Sequence, residues 1–136
     1  MDFGSINWLA VVVSVIASMV IGFIWYSPSV FYKPWLAGIG KSWENRPMSP
    51  MPMLFVWTIL ASLVEAVALA VVLNTMGSNT AVSGLATGFM LWLGFVAPTN
   101  LVNNLYAGHG WKVWLIEAGD HLVYLLVAGV ILGAWQ

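Results

Sequence analysis

The segment Lys112–Trp135, KVWLIEAGDHLVYLLVAGVILGAW, decides the fold. It is long enough to cross the roughly 30 Å hydrocarbon layer of a bilayer as an α-helix. It also lacks the strict alternation of apolar and polar residues that a strand of a membrane barrel requires. Glu117, Asp120 and His121 nevertheless interrupt it at close spacing. We therefore expect a membrane-spanning helix that carries ionisable groups at depth.

The composition of the whole chain indicates the same class of protein. Of the 136 residues, 61% are apolar and only 7% are charged, whereas a soluble domain carries about 25% charged residues. The formal net charge of −1 provides no basic face, so we expect no nucleic-acid partner. The absence of cysteine excludes disulfides and thiolate metal ligands. The nine tryptophans are typical of the aromatic belts at membrane interfaces.

Four segments reach the roughly 20 apolar residues that a spanning helix needs. Short connections after the second and third of them make neighbouring helices antiparallel. The chain is thus predicted to be an all-α integral membrane protein, a single-domain bundle of four transmembrane helices in contact with the lipid bilayer. The predicted spans are 6–27, 53–76, 82–105 and 112–135.

The connection between the first two spans is longer. Phe31, Trp35 and Ile39 recur at helical spacing and predict a short interfacial helix with its apolar side towards the membrane. An ordered aromatic loop is the alternative, because proline and glycine interrupt this stretch. The prolines of segment 46–52 exclude a regular helix there and predict an extended lead into the second span.

The basic residues predict the orientation in the membrane. Lys33, Lys41 and Arg46 lie in the first connection, and Lys112 borders the third. Both connections fall on one side of a four-span protein, and basic loops face the cytoplasm. We therefore expect both termini on the non-cytoplasmic side.

Small residues recur every fourth position along the spans and predict close helix contacts, because packing drives helix association in lipid. Tight contacts between four thin helices leave little room for a cavity inside one chain. We therefore expect a homo-oligomer or a partner membrane subunit. The same tight packing argues against an enzyme, because it leaves no pocket for a substrate within a monomer. The glycines predicted to lie at these contacts are Gly22, Gly84, Gly88, Gly129 and Gly133.

The ionisable residues of the fourth span share one face. Glu117, Asp120, His121 and Tyr124 fall within a roughly 100° arc of an α-helix. At about 1.5 Å per residue from Lys112, Glu117 lies roughly 8 Å and His121 roughly 13 Å into the membrane. This face predicts either a relay for a proton or cation or a hydrogen-bonded zipper that sets the helix register.

Other spans offer polar groups at similar depth. Folding back about the third connection brings Asn100 level with Glu117, and Pro98 leaves the Gly94 carbonyl without its usual donor. Glu65 lies near the centre of the second span, where an acid is a functional candidate. Three amides lie together on the third span and favour capping or helix contact: Asn100, Asn103 and Asn104.

Two cofactor hypotheses have weak support. Glu117, Asp120 and His121 form a hard-to-borderline ligand set suited to Mn, Fe or Zn, but no second ligating helix is evident. His121 could alternatively be the axial ligand of a haem or chlorin, which nothing else in the sequence favours. No cofactor is therefore assigned.

Two blocks of sequence resemble a known family. The first is GFIWYSP at 22–28, followed by Phe31, Lys33 and Trp35. The second comprises 88–97, Trp111-Lys112, Ala118-Gly119 with His121, and 129–135. Together they resemble the bacterial membrane family catalogued as domain of unknown function seventeen-sixty-one. The resemblance implies a small four-helix protein of the bacterial cytoplasmic membrane and brings no activity with it. It supports His121 more than the two carboxylates, whose positions often hold an amide and an aromatic residue in that family.

Three classes of function remain open. The first is an oligomeric transporter or channel for a proton, cation or small polar solute, which uses the acidic and histidine face. The second is a non-catalytic accessory subunit of a larger membrane complex. The third is a membrane enzyme in which Glu117 or Asp120 acts with His121 as acid and base.

Overall fold

The computed structural model describes residues 3–47 and 51–136, and within these ranges the chain forms helices and turns without a strand. Four helical segments are long and apolar enough to cross a membrane, so the all-α, four-span prediction is confirmed on length and composition. The helices are α1 Trp8–Trp25, α2 Tyr32–Gly38, α3 Met51–Met76, α4 Ala81–Leu91, α5 Ala97–Tyr106 and α6 Trp111–Ala134, with a π-helical turn at Trp92–Val96 between α4 and α5.

Local signals begin and end the helices. The Asn7 side chain accepts a hydrogen bond from the Ala10 N–H and caps α1. Thr80 and Ser83 form a reciprocal capping box at the start of α4. Between α3 and α4, Gly77 adopts a positive φ of 68°, which favours glycine and turns the chain back on itself. The result is a tight antiparallel pair of helix ends.

Helix α6 lies at the centre of the bundle, and α4 packs against it at backbone distance. A Cβ at Gly84 would overlap the Gly129 carbonyl, and a Cβ at Gly88 would overlap the Leu125 carbonyl. Gly133 lies in the same contact, against Thr80 and Gly84. Four of the five packing glycines thus lie where two helices meet.

Gly22 does not lie in such a contact. Among the described residues, no atom beyond its own helix lies within 4 Å of where its Cβ would be. The close contact of α1 is made nearer its beginning, where Ala10 and Ser14 are fully buried. The stripe thus does not bring Gly22 into a close contact between the described helices, because a period of four residues identifies a stripe but not how far along it the helices stay together.

The apolar core fills one end of the bundle. Buried residues of α1, the second half of α3 and the second half of α6 form it, including Val11, Leu69 and Leu73. By contrast, every side chain at positions 52–61 of α3 is exposed, and burial begins at Ser62. The first half of α3 therefore stands away from the other described helices.

One local prediction needs correction. The extended lead into the second span is wrong at its end, because α3 begins at Met51 and Pro52 lies in its first turn, where a missing N–H has no consequence. Residues 48–50 of that lead lie outside the described residues. The third span continues through Pro98 as predicted, and a π-helical turn precedes the proline, with the Ala97 N–H bonded to the Trp92 carbonyl. The short helix predicted in the first connection is present as α2.

Candidate functional site

The indole N–H groups of four tryptophans connect the N-terminal half of α6 to the elements around it. Each donates a hydrogen bond to a group on a different helix or turn, so the rings bridge elements instead of only lining the membrane interface. The sequence interpretation of tryptophans as an interface belt missed this role. The bonds run from Trp25 to the Ile116 carbonyl (2.7 Å), from Trp92 to the Ala118 carbonyl (2.7 Å), from Trp114 to the Ala97 carbonyl (2.9 Å) and from Trp35 to the Glu117 carboxylate (2.9 Å).

Gly119 makes room for one of these rings. A Cβ at this position would lie 2.8 Å from Cζ2 of Trp25, closer than unstrained carbon atoms approach. The Trp25 ring can therefore lie across α6 and reach the Ile116 carbonyl. The Ala118-Gly119 pair in the sequence was the available signal for this contact, but it did not name the partner.

Glu117 is the centre of a hydrogen-bond network in which each of its carboxylate oxygens has a donor. Its Oε2 accepts from the Trp35 indole and its Oε1 accepts from the Asn104 amide, each at 2.9 Å. The same Asn104 amide donates to the Asn100 side chain at 3.0 Å. Asn100 was predicted to lie level with Glu117, and it reaches that residue through Asn104. Asn103 points away, with an exposed side chain.

His109 completes this network from the connection between α5 and α6. Its Nδ1 lies 3.0 Å from Asn104 Oδ1, which only accepts, so Nδ1 carries the proton. Its backbone N–H also donates to the Asn104 carbonyl at 2.9 Å. We name the set Trp35, Glu117, Asn104 and His109 the rim network. Both oxygens of its carboxylate are satisfied, and Asn104 is only 5% exposed.

A second set of polar contacts joins α1, α3 and α6. The Tyr124 hydroxyl donates to the Ser62 carbonyl at 3.0 Å, and the Ser62 and Ser18 hydroxyl oxygens are 2.6 Å apart. Tyr124 and Ser62 are buried. We name these three residues the hydroxyl clasp. It anchors α3 at the point where burial of that helix begins.

Glu65, Asp120 and His121 lie beside the clasp. Glu65 is one turn beyond Ser62 on α3, and the other two are one turn before Tyr124 on α6, so each of the three lies about one helical turn from the Tyr124–Ser62 bond. The two carboxylates and the imidazole lie close enough to one another for their charges to interact.

We name these three residues the acid–His cluster. Each member is half-buried. Within residues 3–47 and 51–136, none of the three side chains has a hydrogen-bond or ion-pair partner. The face predicted on α6 is thus divided, since Glu117 belongs to the rim network and the other two ionisable groups face α3.

Tyr26 lies between the rim network and the cluster. It follows α1 directly, and its ring meets the Trp35 ring edge-on with centroids 6.1 Å apart. Burial raises the pKa of its phenol, and the negative charges of Asp120 and Glu117 raise it further. The hydroxyl therefore stays protonated over the physiological range. In the sequence, Tyr26 is part of the GFIWYSP block, and no pattern there predicted that it lies at the site.

The metal hypothesis for α6 is not supported by the geometry. In the described part of the chain, no three carboxylate, imidazole or thiol groups come close enough to hold a metal ion. Glu117 turns towards Trp35 and Asn104, so it cannot join Asp120 and His121 as a ligand. The haem or chlorin role of His121 stays a prediction.

Comparison with known proteins gives a family and nothing finer. The family model described as protein of unknown function (DUF1761) matches residues 9–133. No curated protein and no solved structure matches the chain. The site must therefore be interpreted from its own chemistry.

Proposed function

Since the chain belongs to the DUF1761 family, whose description assigns no activity, we propose a function from the site: a small membrane transporter or channel that moves a proton or small cation through the acid–His cluster. The observation that carries the proposal is the contrast between acids on one helix. Glu117 has a donor on each oxygen, whereas Asp120, one turn away, has none among the described residues.

The cost of membrane burial gives this contrast its weight. A carboxylate at the centre of a spanning helix costs about 2.5–3.5 kcal/mol on insertion scales. Hydrogen bonds offset that cost for Glu117, as expected of a structural residue. Glu65 and Asp120 receive no such compensation from the described chain, so a purely structural role does not account for them. Groups that must bind and release a proton or cation cannot be permanently paired.

The surroundings of the cluster suit a proton relay. Tyr26 lies near enough to Asp120 for that charge to act on its phenol, and the hydroxyl clasp is about one helical turn from each member of the cluster. Hydroxyl groups both donate and accept hydrogen bonds, so they can pass a proton on without carrying a full charge. The four lysine and arginine residues lie at the rim or in the first connection and none is a member of the cluster, which favours a positive cargo over an anion.

The test is flux in liposomes that contain the purified protein and a pH-sensitive dye. Under an imposed potential, we expect proton flux from the parent protein and none from Glu65→Gln or Asp120→Asn. Glu44→Gln is the matched control, because it removes an exposed acid outside the spans. The proposal fails if the folded parent conducts like empty liposomes, or if both cluster variants conduct like the parent.

One observation favours an accessory subunit as the second candidate. Positions 52–61 of α3 are exposed on every side of the helix, although a helix at the edge of a bundle usually buries one face. A partner subunit, or a second copy in a homo-oligomer, would cover this segment. Purification in native lipid, followed by mass measurement of the intact complex, distinguishes the two. An inert protein that co-isolates with one partner supports the subunit function.

We also propose the orientation that the basic residues indicate, with both termini on the non-cytoplasmic side of the membrane. Single cysteines can test it, because the chain contains none of its own. A membrane-impermeant thiol reagent added to intact cells should label a cysteine at Gln136 and not one at Ser42. The reverse labelling pattern would overturn this orientation.

A further inference from the structure

The basic residues of the chain gather around α2, although one of them is far away in sequence. Lys33 lies in the first turn of α2, and Lys41 follows its end. At the last residue of α2, Gly38 packs so closely on Val113 that a Cβ would overlap the valine side chain. Lys112 is the neighbour of Val113, so the contact brings it to the end of α2 where Lys41 lies.

Arg46 is held at the other end of α2. Its guanidinium lies 4.2 Å above the Trp43 ring and donates to the Trp43 carbonyl. That ring in turn meets the Tyr32 ring edge-on, with centroids 6.1 Å apart. Tyr32 is the first residue of α2, so Arg46 lies near Lys33. We name the four basic residues the basic collar: Lys33, Lys41, Arg46 and Lys112.

The positive charge of the collar is not neutralised by the described part of the chain. None of its four residues has an ion-pair partner there. Glu117 is the nearest carboxylate along α6, and the rim network occupies both of its oxygens. Glu44 is the one acid in the same connection, and it is exposed without a partner in those ranges. The collar therefore presents more positive than negative charge to whatever adjoins it.

We propose that the basic collar binds the headgroup phosphate of an anionic phospholipid. Charge complementarity favours an anion, and the exposed aromatic residues beside the collar favour one that carries acyl chains. Trp111, next to Lys112, is 69% exposed, and Tyr106 at the end of α5 is 90% exposed. Amphipathic rings of this kind sit at the headgroup level of a bilayer. Basic residues at a helix end beside such rings are typical of anionic lipid recognition.

The test uses the full chain in detergent and lipids that differ only in their headgroup. Native mass spectrometry measures the affinity for phosphatidylglycerol and for phosphatidylcholine with the same acyl chains. We expect the parent protein to prefer phosphatidylglycerol. The double variant Lys41→Gln/Lys112→Gln should bind it about thirtyfold more weakly, since one basic residue near an anionic surface contributes roughly fivefold. Added salt should weaken the preference, because it screens exposed charges.

The matched control is Lys41→Arg/Lys112→Arg, which keeps both charges and should keep the preference. Glu44→Gln should bind phosphatidylglycerol as tightly as the parent or more tightly. Equal affinity of the parent for both lipids would overturn the proposal, as would a glutamine variant that binds like the parent. Glycerol phosphate is the last arm: if it displaces phosphatidylglycerol at equal concentration, the site recognises a soluble anion and the lipid assignment is wrong. Because this experiment measures lipid binding, its outcome neither supports nor contradicts the proposal of ion transport.

Discussion

Replacement of Trp35 by phenylalanine tests whether the rim network stabilises the fold. The indole N–H donates to Glu117 Oε2 at 2.9 Å, and the ring stacks on Tyr32 with centroids 5.8 Å apart. Phenylalanine keeps an aromatic ring for the stacking but removes the donor and is smaller than the indole. The substitution therefore leaves one oxygen of a half-buried carboxylate without its partner, which is more costly than the loss of the bond alone.

The expected loss follows from the chemistry of this bond. A hydrogen bond to a charged group contributes about 1.5–3 kcal/mol, and an unpaired buried acceptor adds to the cost of losing it. Glu117 is only half-buried, so water screens part of this energy and the lower end of the range applies. We expect Trp35→Phe to lower the free energy of unfolding by about 1.5 kcal/mol. Denaturant titration in mixed micelles, followed by far-ultraviolet circular dichroism, measures it without relying on tryptophan emission.

A double-mutant cycle with Glu117→Gln isolates the bond from the packing of the ring. If Trp35 and Glu117 act together, the two losses are not additive, and the coupling energy is about 1 kcal/mol. Phe31→Leu is the control, because it perturbs an aromatic contact with Trp25 near the start of α2 without touching the carboxylate. Additive losses, or a Trp35→Phe variant within about 0.3 kcal/mol of the parent, would refute the reasoning.

Two further predictions follow from the packing and from the titration of a buried phenol. Gly84→Ala should destabilise the fold by about 3 kcal/mol, because its Cβ would overlap the Gly129 carbonyl. Gly94→Ala is the control: its Cβ would enter open space, so it should stabilise the fold slightly. If Gly84→Ala and Gly94→Ala change the free energy of unfolding equally, the close packing of α4 on α6 is wrong. The pKa of the Tyr26 phenol is higher in the folded state than its ordinary value of 10.0. The phenol therefore contributes fully to the free energy of unfolding below pH 10.0, and this contribution is lost as the pH rises above that value. Tyr26→Phe should therefore flatten the alkaline fall in stability, and unchanged pH profiles would exclude this role.

The helices were predictable because their signals are local. Span length and apolar composition are properties of one segment, and so is the small-residue stripe that brings Gly84 against Gly129. The stripe does not bring Gly22 into a close contact between the described helices, since the separation of two helix axes depends on every contact between them. The wider π-helical turn before Pro98 was missed for a related reason. A proline shows which hydrogen bond is lost, but not how the helix rearranges around the loss.

The residues of the candidate site were named from the sequence, but their hydrogen-bond partners were not. A helical wheel placed Glu117, Asp120 and His121 on one arc, and they do share that side of α6. Their side chains nonetheless turn to different neighbours, because an arc of roughly 100° on a central helix borders more than one other helix. The indole donors were beyond prediction altogether. Whether a Trp25 N–H meets water, lipid or the Ile116 carbonyl depends on where the next helix lies.

The contrast on α6 between the paired Glu117 and the unpaired Asp120 and His121 bears on the choice between a structural polar zipper and a relay. A polar zipper stabilises a bundle only if its members are paired, and the rim network already supplies such pairing through Glu117 and Asn104. The described chain gives the acid–His cluster no comparable pairing, while the hydroxyl clasp next to it already joins α1, α3 and α6. We therefore expect that Asp120 and Glu65 are not needed to hold these helices together. If Asp120→Asn leaves stability unchanged or raises it while Glu117→Gln lowers it, the two acids of one helix have separate roles. If both substitutions lower the free energy of unfolding equally, the whole polar face of α6 has a structural role.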